Sequence, residues 1–167
     1  MITEIFPDYM NFVRLYEKDG TFKKSSVLNE LNNSFHIVNH LGHSSSEYNM
    51  GIKINDVDSL TNSGPFLLYS QGCSPGAFDK NDSIGEHLVK NPFGAFAVVM
   101  NSRYGWYSPG STNGPSQYFD YEFFDAIYNE EIKALGKIHQ DAKHDLVDQT
   151  NLYSIMRWCY FSLKLAG

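Results

Sequence analysis

An α/β fold built on a mainly parallel sheet is predicted by three observations. Three short runs, FHIVNHLG (35–42), FLLYS (66–70) and GAFAVVMNS (94–102), are largely apolar and stop at glycine or polar residues. Segments with helical patterning lie between and after them. Strands buried on both faces read as continuous apolar runs, and strands that alternate with helices pair in parallel. The third observation is that each run leads into chemically distinctive residues: His40 and His43, then Cys73, then Trp106. In parallel sheets ligands sit at the carboxyl ends of the strands.

Taken in order, PDYMNFVRLYEKDG (7–20) reads as a short helix ending at Gly20. SSVLNELNN (25–33) is a helix with Ser25 or Ser26 as its cap. FHIVNHLG is a buried strand entering a loop. The stretch 44–64 is polar and turn-rich, with one short strand at 51–54. FLLYS is the second buried strand, and DSIGEHLVKN (82–91) is a helix capped by Asp82 or Ser83. GAFAVVMNS is the third strand. RYGWYSPGSTNGPS (103–116) is an aromatic, glycine-rich loop. QYFDYEFFDAIYNEEIKAL (117–135) is a helix with an apolar stripe at Phe119, Phe123, Phe124 and Ile127. NLYSIMRWCYFSLKLAG (151–167) is a final amphipathic helix.

The 167 residues read as a single domain, long enough for a sheet with covering helices. A net charge of −6, with Lys23-Lys24 as the densest basic group, argues against nucleic-acid backbone binding. No apolar run reaches the ~18 residues of a membrane span. The opening MITEIFPDY has no basic region followed by an apolar core, so no signal peptide is expected in this chain. Aromatic residues make up 15%, which favours a bulky core or an apolar cleft.

Two cysteines make neither a disulfide framework nor a zinc cluster. A cysteine that ends a strand is most often a small buried hydrophobe. Cys73, however, follows Gly72, precedes Ser74-Pro75-Gly76 and stands opposite a histidine-bearing strand end. A thiolate there would be a nucleophile. Its backbone N–H could help hold an oxyanion, and a neighbouring histidine could move protons to a leaving amine. His40 and His43 both compete for that task. Cys159, among Trp158, Tyr160 and Phe161, reads as core. His139 and His144 are spaced i, i+5, which suits a solvated helix face rather than a metal pair. Asp56 and Asp58 look like the start of a calcium loop, but the EF-hand glycine and glutamate are missing, so turn chemistry is expected.

The two strand exits, Gly42-His43-Ser44-Ser45 and Cys73-Ser74-Pro75-Gly76-Ala77-Phe78, resemble those of the gingipain-type cysteine peptidases, of the caspase-like superfamily. SIGEHLV, with Glu86, and PFGAFAVVMNSRYGW are similar to further motifs of that family, in the same order. The resemblance spans about residues 34–167. It implies a caspase-like three-layer sandwich, its mainly parallel sheet flanked by helices, with this chain as the catalytic subdomain. It implies cysteine endopeptidase activity, with Cys73 as nucleophile and His43 as catalytic histidine. The oxyanion donors would be the backbone N–H groups of Cys73 and Ser44, the latter standing where the family has glycine. Trp106, Tyr104 and Gly72 would contact substrate. The family analogy allows a structural calcium but implies no catalytic cofactor or metal. Protein or peptide substrates are implied, as is an extracellular or cell-surface place. By the same comparison an amino-terminal subdomain or precursor segment is missing from this chain.

Two other readings stand beside it. One is a degenerate peptidase-like module that binds protein or peptide through the aromatic loop 104–107. The other, glutamine amidotransfer, fits poorly: its nucleophile corner wants glycine where Gln71 stands, and no later histidine has glutamate two residues on. A serine-hydrolase elbow is absent.

Overall fold

The computed structural model describes residues 5–80 and 82–167. The chain divides into two compact units, one of residues 12–104 with 164–167, the other of residues 1–11 with 105–163.

The first unit begins its regular structure with helix α1 (Lys24–Asn32) and strand β1 (Ile37–His40). A small antiparallel ladder of β2 (Tyr48–Asn49) and β3 (Ile52–Lys53) follows, then the single-turn helix α2 (Ile54–Val57). Strand β4 (Phe66–Ser70), helix α3 (Ile84–Lys90) and strand β5 (Ala95–Asn101) complete the central part. The last strand, β6 (Leu163–Ala166), joins the same sheet, whose order is β1-β4-β5-β6. Strands β1, β4 and β5 run parallel, as their apolar runs predict.

All five residues of β4 are buried, and all of β5 except Phe96. Phe66 and Leu68 alternate along β4 and join Val27 and Leu31 of α1, Ile52 of β3, Ile84 and Leu88 of α3, and Val98 of β5 in one core. Each such side chain fully removed from water stabilises the fold by about 1.5–3 kcal/mol. Helix α3 starts at the predicted cap. The Ser83 backbone N–H and hydroxyl both donate to Glu86 Oε2, at 2.8 and 2.9 Å.

The other unit is helical. It contains α4 (Pro115–Tyr128), α5 (Leu135–Asp145), a 3-10 turn (Val147–Gln149) and α6 (Ile155–Ser162). Phe119, Phe123 and Phe124 of the expected stripe are buried, and Ile127 is half-buried. Pro115 sits in the first turn of α4, where its missing N–H costs nothing.

Four sequence expectations need correction. Residues 7–20 form turns and irregular chain instead of a helix. Arg14 stacks over Phe12 and Lys18 over Tyr16, and the segment closes in a turn where the Gly20 N–H donates to the Glu17 carbonyl at 3.0 Å and the Thr21 N–H to the Tyr16 carbonyl at 3.2 Å. The N-cap of α1 is Lys23, not Ser25 or Ser26. The helix read over 117–135 stops at Tyr128; Glu131 has φ 59°, outside helical space, and α5 then begins at Leu135. Finally, the terminal helix ends at Ser162, and Leu163–Ala166 is a strand. The alternation Leu163-Lys164-Leu165 suits a sheet edge, and β6 finds its hydrogen-bond partner in β5.

Candidate active site

The parallel register of β1 and β4 pairs His40 with Ser70, and the Gln71 N–H donates to the His40 carbonyl at 2.9 Å. Both strands end at these residues. Each chain then takes three more steps, Leu41-Gly42-His43 on one side and Gln71-Gly72-Cys73 on the other. The two loops approach closely. A Cβ built on Gly72 would lie 1.9 Å from Ser44 Oγ and 3.1 Å from the Gly42 carbonyl oxygen. Only glycine leaves room for Ser44 there. His43 is exposed and Cys73 is partly exposed, so both groups are open to solvent.

The segment around Cys73 is fastened on its other flank to β5. Asn101 Nδ2 donates to the carbonyls of Gln71 and Gly72, both at 3.1 Å. The Ser74 N–H donates to the Arg103 carbonyl at 2.8 Å, and the Gly76 N–H to the Asn101 carbonyl at 3.1 Å. Ser74 adopts φ 62°, a left-handed conformation that turns the chain sharply just after the thiol. Arg103 grips Asp79 with two bonds of 2.9 Å, which holds the Asp79 carboxyl below the usual carboxylate range.

Beneath the loops lies a buried polar cluster that the sequence reading did not single out. Asn49 Oδ1 accepts from Ser44 Oγ at 2.7 Å and from Ser70 Oγ at 3.0 Å. Ser70 Oγ also meets His40 Nδ1 at 2.9 Å and accepts from the Gly72 N–H at 3.3 Å. A hydroxyl has one proton. Ser70 gives it to Asn49, so His40 must donate from Nδ1, leaving Nε2 as the bare nitrogen. His40 is therefore not a loop histidine competing with His43. It is 7% exposed, and its pKa is lowered to about 4, by desolvation first and by the nearby His43 as a lesser cause, against a raising contribution from Asn49. Polar residues that end apolar strands, Ser70 and Asn101, were the available signal for this cluster; Asn49 carried none.

The remaining expected residues are distributed as follows. Ser44 has no positive φ, so the serine in place of glycine is unstrained. Tyr104 is 62% exposed on the unit that carries Cys73 and His43. Trp106 belongs to the helical unit, where its backbone N–H donates to Ser116 Oγ at 2.9 Å and the residue remains 40% exposed. Cys159 is buried as expected, and desolvation pushes its thiol up to about 11. Neither cysteine is in a disulfide. Asp56 accepts from the Lys53 N–H at 2.9 Å and pairs with Lys24, while Asp58 pairs with His87 Nδ1 at 2.8 Å. Glu86 is the capping acid of α3. Among the described residues, Glu130, Asp141 and Asp145 form the group whose carboxylate oxygens, within 4.8 Å of one another, could share a metal ion. It lies on the helical unit.

Strands β1, β4 and β5 run parallel, and the exits of β1 and β4 carry an imidazole and a thiol, the α/β architecture that the resemblance to caspase-like peptidases implies. The model of peptidase family C25 matches residues 1–167, and the chain belongs to that family. Its fold is similar to the crystal structure of the Arg-specific cysteine proteinase gingipain R (RgpB), with TM-score 0.75, 16% identity, and 87% of this chain covered against 35% of that one. The complex of Porphyromonas gingivalis RgpB pro- and mature domains matches with TM-score 0.70 and 16% identity, covering 86% of this chain and 35% of that one. The structure of a protease matches with TM-score 0.70 and 16% identity over 83% of this chain and 35% of that one. The chain thus spans about a third of the length of each solved chain. Comparison with curated proteins gives no match.

Proposed function

We propose that the chain carries the catalytic residues of a cysteine endopeptidase, with a Cys73–His43 dyad. The observation that supports this reading is the equal three-residue step from the paired His40 and Ser70 to His43 and Cys73. Matched exits on neighbouring parallel strands support a mouth shared by the two groups.

In this mechanism the Cys73 thiolate attacks the peptide carbonyl carbon. The carbonyl oxygen becomes an oxyanion, held by the backbone N–H groups of Cys73 and Ser44. His43 gives its proton to the departing amine, and an acyl thioester remains on Cys73. His43 then takes a proton from water, hydroxide adds to the thioester, and the acid product leaves with the thiolate restored. Gly72, expected from the sequence to contact substrate, is buried with Ser44 against its bare Cα, so its lack of a side chain serves the close approach of the two loops. Tyr104, on the unit that carries Cys73 and His43, supplies apolar surface for the substrate, and the exposure of its ring is consistent with that role. An extracellular or cell-surface location is proposed with this function, by the family resemblance alone.

The direct test is Cys73→Ala, assayed with fluorogenic peptides differing in the residue before the cleaved bond. Turnover by the unsubstituted chain is expected to vanish in the variant, which should unfold at an unchanged temperature. Cleavage that persists undiminished sinks the proposal.

A further inference from the structure

We propose that Asn49 and Ser70 are positioning residues that set the spacing between the nucleophile loop and the histidine loop through a single shared oxygen, Asn49 Oδ1. The inference rests on the cysteine peptidase reading above. It concerns residues that lie under the site and touch neither substrate nor the reacting atoms.

Asn49 Oδ1 takes the hydroxyl protons of Ser44 and Ser70, at 2.7 and 3.0 Å. Ser44 directly follows His43. Ser70, in turn, receives the N–H of Gly72, the residue directly before Cys73. Three hydrogen bonds, two of them meeting on one carbonyl oxygen, therefore connect the neighbour of the imidazole to the neighbour of the thiol. The connection is buried: Asn49 and Ser70 are each 0% exposed. A hydrogen bond shielded from water is directional and does not exchange readily with solvent, so it holds position.

Packing reinforces the bond geometry. Ser44 sits between Asn49 Oδ1 and the bare Cα of Gly72, so it cannot shift without breaking a bond or colliding. The Ser44 backbone N–H, the proposed oxyanion donor, moves with it. Asn49 itself arrives on the β2–β3 hairpin, held where the Ser45 N–H donates to the Tyr48 carbonyl at 2.9 Å. The hairpin after β1 thus returns to brace the loop it came from. Donor placement has to be correct to a fraction of an ångström at the oxyanion, and a misplacement of about 1 Å lowers rates on the order of 100-fold.

The test uses Asn49→Ala, Ser70→Ala and the double variant of the full chain. Expected are a 10- to 100-fold fall in kcat for each, KM within about threefold, and a double variant little worse than the singles. Two inhibitors separate positioning from general damage. Iodoacetamide, which needs only the thiolate, should alkylate Cys73 at a nearly unchanged rate. A peptide aldehyde, which forms a tetrahedral adduct needing the oxyanion donors, should bind 10- to 100-fold more weakly. Should either buried truncation fail to fold, Ser44→Ala removes the same link while leaving the Asn49–Ser70 bond, and should lower kcat and aldehyde affinity together. Folded variants with unchanged kcat and aldehyde affinity overturn the inference while the peptidase reading stands. Absence of Cys73-dependent turnover in the unsubstituted chain removes both.

Discussion

Replacing Gly72 with alanine is expected to lower stability by about 3 kcal/mol and to reduce peptide turnover on the order of 100-fold. The new methyl group would overlap Ser44 Oγ at 1.9 Å and crowd Ser44 Cβ at 2.6 Å. A rotamer change moves the hydroxyl but not the Cβ, and the Gly42 carbonyl at 3.1 Å closes another direction. The histidine loop must therefore retreat, and Ser44 must give up its bond to Asn49. Both stability and loop spacing fail for one steric reason. Gly64→Ala is the matched control: nothing lies within 4 Å of the added methyl, and both properties should stay unchanged. Urea unfolding and kcat/KM measured on the two variants decide the matter. A Gly72→Ala chain as stable and active as the Gly64→Ala chain would show that the two loops do not meet as described.

The second large effect is an acid sensitivity traceable to His40. Its pKa falls from 6.5 when unfolded to about 4 when folded, chiefly because burial penalises the imidazolium. Above pH 6.5 both states are neutral and the residue contributes no pH dependence. As pH falls through the window from 6.5 to about 4, the unfolded chain binds the proton and the folded chain does not. Stability drops through that window by about 3 kcal/mol and then levels off. His40→Gln removes the titration. The comparison is the difference in unfolding free energy between pH 7 and pH 4 for the two chains. The drop should be larger in the unsubstituted chain by about 3 kcal/mol. Equal drops would mean that His40 titrates normally.

Much of the first unit was legible because its strands are buried on both faces. FLLYS coincides with β4, and FHIVNHLG and GAFAVVMNS lose only a few residues at their ends. The location of His43 and Cys73 just past strand ends followed from the same runs. Residues 163–166 were missed because an edge strand in four residues carries too little pattern to compete with the amphipathic helix before it. Residues 7–20 misled because Tyr9, Phe12, Val13 and Tyr16 stand at i, i+3, i+4 and i+7, the spacing of a helical stripe, yet all four are exposed, so no core covers that stripe to stabilise a helix. The cluster of His40, Asn49, Ser70 and Ser44 is illegible for a deeper reason. Its partners are 21 to 30 residues apart in the two longest pairings, and hydrogen bonding between non-local polar side chains leaves no periodic trace.

The contrast between the two cysteines makes the chain its own folding gauge. Cys73 meets solvent, whereas Cys159 is 2% exposed within α6. A colorimetric disulfide reagent should titrate one equivalent promptly from the native chain and two in denaturant. The lag of the second equivalent under native conditions then clocks how often the helical unit opens, with no engineered reporter.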